Sequence, residues 1–119
     1  MATLNEKPVR LLMHDMIVSQ PPRHLMLIVS GRLFLKPGTR DQFLASCEPS
    51  IRLARVAAGC LDFAVSADTI DPDRANVYEA WTDAQSLEVF RGSGPDDPSF
   101  AFIVRADVER HEVSQSGPP

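Results

Sequence analysis

Residues 76–92, NVYEAWTDAQSLEVFRG, constrain the fold more than any other stretch of this chain. Asn76 to Trp81 is rich in β-branched and aromatic side chains, which predicts a strand. Alternation sets Val77, Glu79 and Trp81 on one face and Asn76, Tyr78 and Ala80 on the other. Thr82 stands three residues before Gln85, the capping-box spacing that starts a helix. Asp83 near its start and Arg91 near its end suit the helix dipole. Ala84, Leu87 and Phe90 give the helix a narrow apolar stripe, and Gly92 stops it.

An earlier part of the chain has the same order. Leu25 to Leu35 alternates as a strand. Leu25, Leu27, Val29, Gly31, Leu33 and Leu35 form one face, and Met26, Ile28, Ser30, Arg32 and Phe34 the other. The turn Lys36-Pro37-Gly38 follows, and Thr39 with Gln42 again has capping-box spacing. Phe43, Cys47, Ile51, Ala54 and Ala58 then recur on one helical face up to Gly59. Pro49 lies inside that helix and predicts a kink. Cys60 to Ala67 reads as a strand with Leu61, Phe63 and Val65 on one face and Asp62, Ala64 and Ser66 on the other. The aspartates of the Asp68–Arg74 loop lack the glycine and glutamate of a calcium loop and read as a solvated turn. After a polar loop from Ser93 to Ser99, Phe100 to Val113 reads as the last strand. Phe100, Phe102, Val104, Ala106 and Val108 line one of its faces, and Ala101, Ile103, Arg105 and Asp107 the other.

A chain of 119 residues is one domain by size, and 44% apolar residues suffice for a core. The net charge of −4 and the lack of a basic stripe exclude nucleic acid as a partner. Cys47 and Cys60 form no CxxC pair and read as two free thiols in a reducing compartment, with a disulfide between them as the alternative. The longest apolar run, Leu25 to Val29, is too short to cross a bilayer, and no secretory signal is evident. The expected location is cytoplasmic, with no membrane partner. Residues 1–24 form an extension with two readings, a partly ordered tail or an apolar arm on a neighbouring subunit. The domain spans 25–113, and 114–119 is expected to be a disordered tail.

Strand, helix, strand, strand, helix, strand is the ferredoxin-like βαββαβ order of an α+β domain. It predicts a four-stranded antiparallel sheet with both helices on one face. The opposite face would carry Met26, Ile28, Phe34, Ala64 and Ile103, which is too apolar to leave in water. Arg32, Asp62 and Arg105 would lie among them. A homodimer joined through this face, a dimeric α/β barrel, is the expected assembly, with opposite charges paired across it.

From Leu27 to Val108 the sequence resembles the antibiotic biosynthesis monooxygenase family. The resemblance rests on Lys36-Pro37-Gly38, Gly59-Cys60-Leu61-Asp62-Phe63, Asp71-Pro72, Tyr78-Glu79-Ala80-Trp81, Leu87 and Ser93-Gly94-Pro95. It implies the dimeric barrel fold. It also implies oxidation by O2 of a small, electron-rich aromatic substrate, a phenol or quinol, with no metal, flavin or other cofactor. Haem-degrading members carry an iron-ligating His three residues after the leucine of the short helix. Phe90 stands there in this chain, which argues against haem. His14, His24 and His111 have no metal-ligand spacing.

On this resemblance Trp81, Tyr78 and Glu79 are the candidate catalytic residues. Trp81 would stack on the substrate and offer its indole N–H, while Tyr78 or Glu79 would handle a proton. Leu27, Val29, Phe63, Phe90 and Phe102 would line the pocket. Trp81 and Tyr78 lie on opposite faces, so a single pocket holds one of them at most. Structural readings stand beside these: Trp81 as a core anchor and Glu79 paired with Arg32 or Arg105. Two functions remain open at this point, the cofactor-independent oxygenase and a non-catalytic dimeric domain that binds a small hydrophobic ligand.

Overall fold

The computed structural model describes residues 26–92 and 97–119. The extension 1–24, Leu25 and residues 93–96 lie outside the described residues. So do the expectations placed on them, including His14 and His24.

The elements follow the order β1 (Met26–Leu35), α1 (Arg40–Arg55), β2 (Cys60–Ala67), β3 (Arg74–Trp81), α2 (Ala84–Gly92) and β4 (Ile103–Val113). A short 3-10 turn, Pro98–Phe102, precedes β4. The sheet order is β2-β3-β1-β4, and every neighbouring pair is antiparallel. This is the ferredoxin-like α+β arrangement. The apolar odd-numbered positions of β1 face the helices: Leu27, Val29 and Leu35 are buried, while Arg32 on the other face is exposed. The core splits into two clusters along β1. Leu27, Val29, Trp81 and Leu87 form one, and Leu35, Phe43, Cys47 and Ala75 the other.

Two bulges change the faces that plain alternation predicts. The β2–β3 register shifts between Cys60 and Asp62. Leu61 is the extra residue and turns out to solvent, and Cys60 packs inward beside Phe63 in its place. The β1–β4 register shifts between Phe34 and Leu35. Ile103 therefore packs against the Leu35 cluster on the helix side, and Val104 is exposed. Phe100 and Phe102 lie in the 3-10 turn rather than in the strand, and Phe100 is exposed.

Both predicted helix caps differ in detail. The Thr39 hydroxyl donates to the Lys36 carbonyl at 2.7 Å and makes no cap bond to α1. At α2 the cap is Asp83, one residue later than predicted. Its carboxylate accepts from the Ser86 N–H at 2.7 Å, because a carboxylate is the stronger acceptor at a helix N-terminus. Ala84 is exposed, so Leu87 and Phe90 alone carry the apolar stripe. Helix α1 continues through Pro49 and ends at Arg55, before Ala58. Both cysteines are free thiols. Among the described residues no helix is long and apolar enough to cross a membrane.

The β2–β3 hairpin is tied to α1 by Arg40, whose guanidinium donates to the carbonyls of Asp68, Asp71 and Arg74. Asp68 organises the same loop. Its carboxylate accepts from the Asp71 and Ile70 N–H groups and from the Asn76 amide. Hydrogen bonds from Asp71 and Asn76, aided by Arg74, hold its pKa down at about 2, against 3.8 for a free Asp. A depressed folded-state pKa contributes stability that is present above 3.8 and lost as pH falls towards 2. Asp68→Asn should therefore flatten the acid limb of stability against pH. Urea midpoints measured from pH 5 down to pH 2 check this, and an unchanged slope contradicts it.

Candidate functional site

On the helix-facing side of the sheet, antiparallel pairing aligns side chains in rows across the strands. Phe63, Glu79, Val29 and Arg110 form one row, and Cys60, Trp81, Leu27 and Glu112 the next. Of the charged groups in these rows, Glu79 alone is buried, with 8% of its surface exposed. Trp81 and Leu87 have no exposed surface at all.

Glu79 and Trp81 are two residues apart on one strand, so their side chains emerge on the same face. The Trp81 indole Nε1–H donates to Glu79 Oε1 at 3.0 Å. Phe90, from α2, lies over the indole with ring centroids 5.4 Å apart. Phe63 meets Phe90 edge-on at 6.1 Å. A carboxyl group is thus held in an apolar box, oriented by an indole that itself needs a buried acceptor. Burial pushes the Glu79 pKa up by disfavouring the charged form. The Trp81 N–H and the positive charge of Arg91 pull partly the other way. A base with a raised pKa works nearer neutral pH.

The structure brings Trp81 and Glu79 together with Leu27, Val29, Phe63 and Phe90. Phe102 stands apart from them. It packs on Phe43 in the other core cluster, with ring centroids 6.4 Å apart. Tyr78 is 41% exposed on the opposite face of the sheet, away from Glu79. The expected pairing of Glu79 with Arg32 or Arg105 does not form, since both arginines stand on that opposite face. Arg32 Nε donates to Asp107 Oδ2 at 3.2 Å, and Arg105 lies 3.8 Å from the same oxygen. Arg105 also stacks over the Phe34 ring at 4.1 Å. Asp62, also on that face, accepts from the Phe63 N–H and pairs with neither arginine.

Sequence reasoning passed over Arg110, which shares a row with Glu79 and donates through Nη2 to Glu88 Oε2 of α2 at 3.1 Å. Continuing the β4 alternation two residues past Val108 would have placed it. Cys60 was passed over because the Leu61 bulge hides its inward position. Among the described residues no cluster of three or more His, Cys, Asp or Glu side chains could hold a metal ion.

By its family match, this ferredoxin-like sheet is a monooxygenase-like domain. The model of the family described as "Antibiotic biosynthesis monooxygenase" matches residues 26–97, and the chain belongs to that family. Solved structures agree on the fold. A candidate antibiotic biosynthesis monooxygenase from Nitrosomonas europaea superposes with a TM-score of 0.69 at 12% identity, covering 80% of this chain and 96% of that one. One from Deinococcus radiodurans has a TM-score of 0.68 at 16% identity, covering 78% and 97%. One from Chloroflexus aurantiacus has a TM-score of 0.61 at 26% identity, covering 79% and 96%. Among curated proteins none matches this sequence.

Proposed function

We propose that this protein is a cofactor-independent monooxygenase that oxidises an electron-rich phenolic or quinol-type small molecule with O2. The observation that carries the reading is the buried carboxyl of Glu79, held by the Trp81 indole in an aromatic box. Family membership supports the reaction class. Glu79 takes a proton from the substrate, and the resulting anion gives one electron to O2. The two radicals combine at carbon, and the peroxide anion takes the proton back from Glu79 to form a hydroperoxide. Loss of water from it leaves a carbonyl that retains one oxygen atom, so a ring methylene and O2 become a ketone and water. In this reading Glu79 is the base and Trp81 sets its geometry. Tyr78 has no part in the proton transfer, because it stands on the other face of the sheet.

The test is oxygen uptake by metal-free protein over a panel of anthrones and hydroquinones, with Trp81→Phe alongside. Uptake faster than autoxidation, and slowed by the substitution, supports the oxygenase. No uptake across the panel favours the second reading, a non-catalytic domain that binds a small hydrophobic ligand. The tight packing of Trp81 and Leu87, neither with any exposed surface, is that of a filled core and favours a scaffold or partner-binding role.

The same proposal includes a homodimer through the open sheet face. Met26, Ile28, Phe34 and Ala64 lie there half-buried beside exposed Tyr78, around the Arg32–Asp107–Arg105 charges. An apolar sheet face of this kind is what a second copy would cover. Light scattering after size exclusion should give twice the 13.1 kDa chain mass, and Phe34→Asp should give the single chain mass. A single-chain mass for the wild type would exclude the dimer.

A further inference from the structure

The Glu79 site is closed by α2. Leu87 seals Val29 and Trp81, and Phe90 lies over the indole. Lifting α2 would uncover Val29 and Trp81 beside Glu79. The base of the helix is pinned, since the Thr82 N–H donates to the Gly59 carbonyl at 2.8 Å. Further along, a charged tie joins α2 to the sheet, the Glu88–Arg110 ion pair, with side chains 62% and 39% exposed.

Arg110 is placed to do more than hold the helix. Among the described strand residues it is the one cation on the helix-facing side of the sheet, and it shares the Glu79 row; Arg91 of α2 also acts on Glu79. The two residues are two strand spacings apart, about 10 Å, with Val29 between them. A fused-ring aromatic acid lying over Val29 would set its carboxylate at Arg110 and its far ring at Glu79. A half-exposed ion pair contributes little free energy, so an incoming anion can compete for it.

We propose that the Glu88–Arg110 pair is the latch of the Glu79 site. An acidic group on an incoming aromatic ligand takes Arg110 from Glu88, and α2 lifts from Trp81 and Val29. The ligand half of this inference rests on Glu79 marking the site. The latch half does not, and neither half needs oxygen to react, so failure of the oxygenase reading and failure of the latch are separable.

The latch is tested by amide hydrogen exchange of α2 in the wild type, Glu88→Gln, Arg110→Gln and the reciprocal exchange Glu88→Arg with Arg110→Glu. Loss of either partner should speed α2 exchange by roughly two- to fivefold, the range an exposed pair allows, and leave α1 unchanged. The reciprocal variant should restore the slow rate. Unchanged exchange in the single variants, or no recovery in the double, overturns the latch. For the ligand, equilibrium dialysis compares 2-naphthoate with its neutral isostere 2-naphthamide. The acid should bind the wild type more tightly, by about fivefold. It should also speed α2 exchange, and the preference should vanish in Arg110→Gln. Equal binding of acid and amide, binding of neither, or a preference that survives Arg110→Gln overturns it.

Discussion

Replacing Glu79 by Gln should slow oxygen uptake by about 10²- to 10⁴-fold, the loss expected when a positioned base is removed. Gln is close to the same size, and its carbonyl can still accept the Trp81 N–H that Glu79 Oε1 receives. The substitution therefore removes proton transfer while keeping the indole in place. Its effect on stability has a sign that depends on pH. Burial raises the folded-state pKa of Glu79 above the 4.5 of a free Glu. The folded protein then binds a proton that the unfolded chain has released, and the cost of ionising the buried group grows as pH rises through the folded-state pKa. Wild-type stability should fall relative to Glu79→Gln as pH rises from 4.5, and the difference should level off once the group is ionised in both states. Glu79→Leu makes the contrast. It leaves the buried indole N–H without an acceptor and should cost about 1–3 kcal/mol. Chemical denaturation of the three proteins between pH 4 and pH 8 checks both effects. If Gln and Leu behave alike, the indole–carboxyl bond has no structural weight. If uptake survives in Glu79→Gln, Glu79 is not the base.

Gly31→Ala should be the most damaging small substitution in the sheet. Gly31 lies in the middle of β1, paired with Val77 on one side and Val108 on the other. Its φ of +154° is one that L side chains rarely adopt. An added Cβ would run into the Asp107 carbonyl oxygen and stand 2.7 Å from the Val108 Cα, both backbone atoms of β4. Backbone cannot swing aside as a side-chain tip can, so the β1–β4 ladder has to shift. Strain and overpacking together should cost about 3 kcal/mol, a large part of the total stability of a small domain. With the usual urea dependence this lowers the midpoint by about 1–2 M. Gly38→Ala is the control. Gly38 also has a positive φ, +77°, but nothing lies within 4 Å of its added Cβ. That change should cost only about 1–2 kcal/mol, from the left-handed conformation alone. Equal losses at the two positions would mean that the collision with β4 contributes nothing.

How much of this was legible in the sequence depended on whether a feature was local or lay between elements. The order of elements, the inward face of β1 and the shared face of Glu79 and Trp81 follow from a period of two along single strands. The resemblance over Leu27 to Val108 pointed to the family that the match over residues 26–97 shows. The last strand was begun at Phe100, inside the 3-10 turn, and Phe102 stands apart from Glu79 because antiparallel pairing sets the start of β4 beside Leu35, at the far end of β1. Leu61 and Ile103 were misread for a different reason. A bulge adds one residue to a strand, and neither bulge announces itself there by a glycine or a proline.

Partners across elements lay further out of reach. Glu79 was expected to pair with Arg32 or Arg105. The alternation already put Arg32 and Arg105 on the opposite face, and the folded sheet gives both to Asp107. The sequence by itself determined the order of strands and helices, the inward face of β1 and the shared face of Glu79 and Trp81 on β3, because each depends only on the chain's own periodicity. Tertiary structure alone decided that α2 comes down over that pair, that Phe102 stays away from it, and that Arg110 reaches Glu88. Those contacts depend on strand register and helix placement, which residues far apart in the chain settle together.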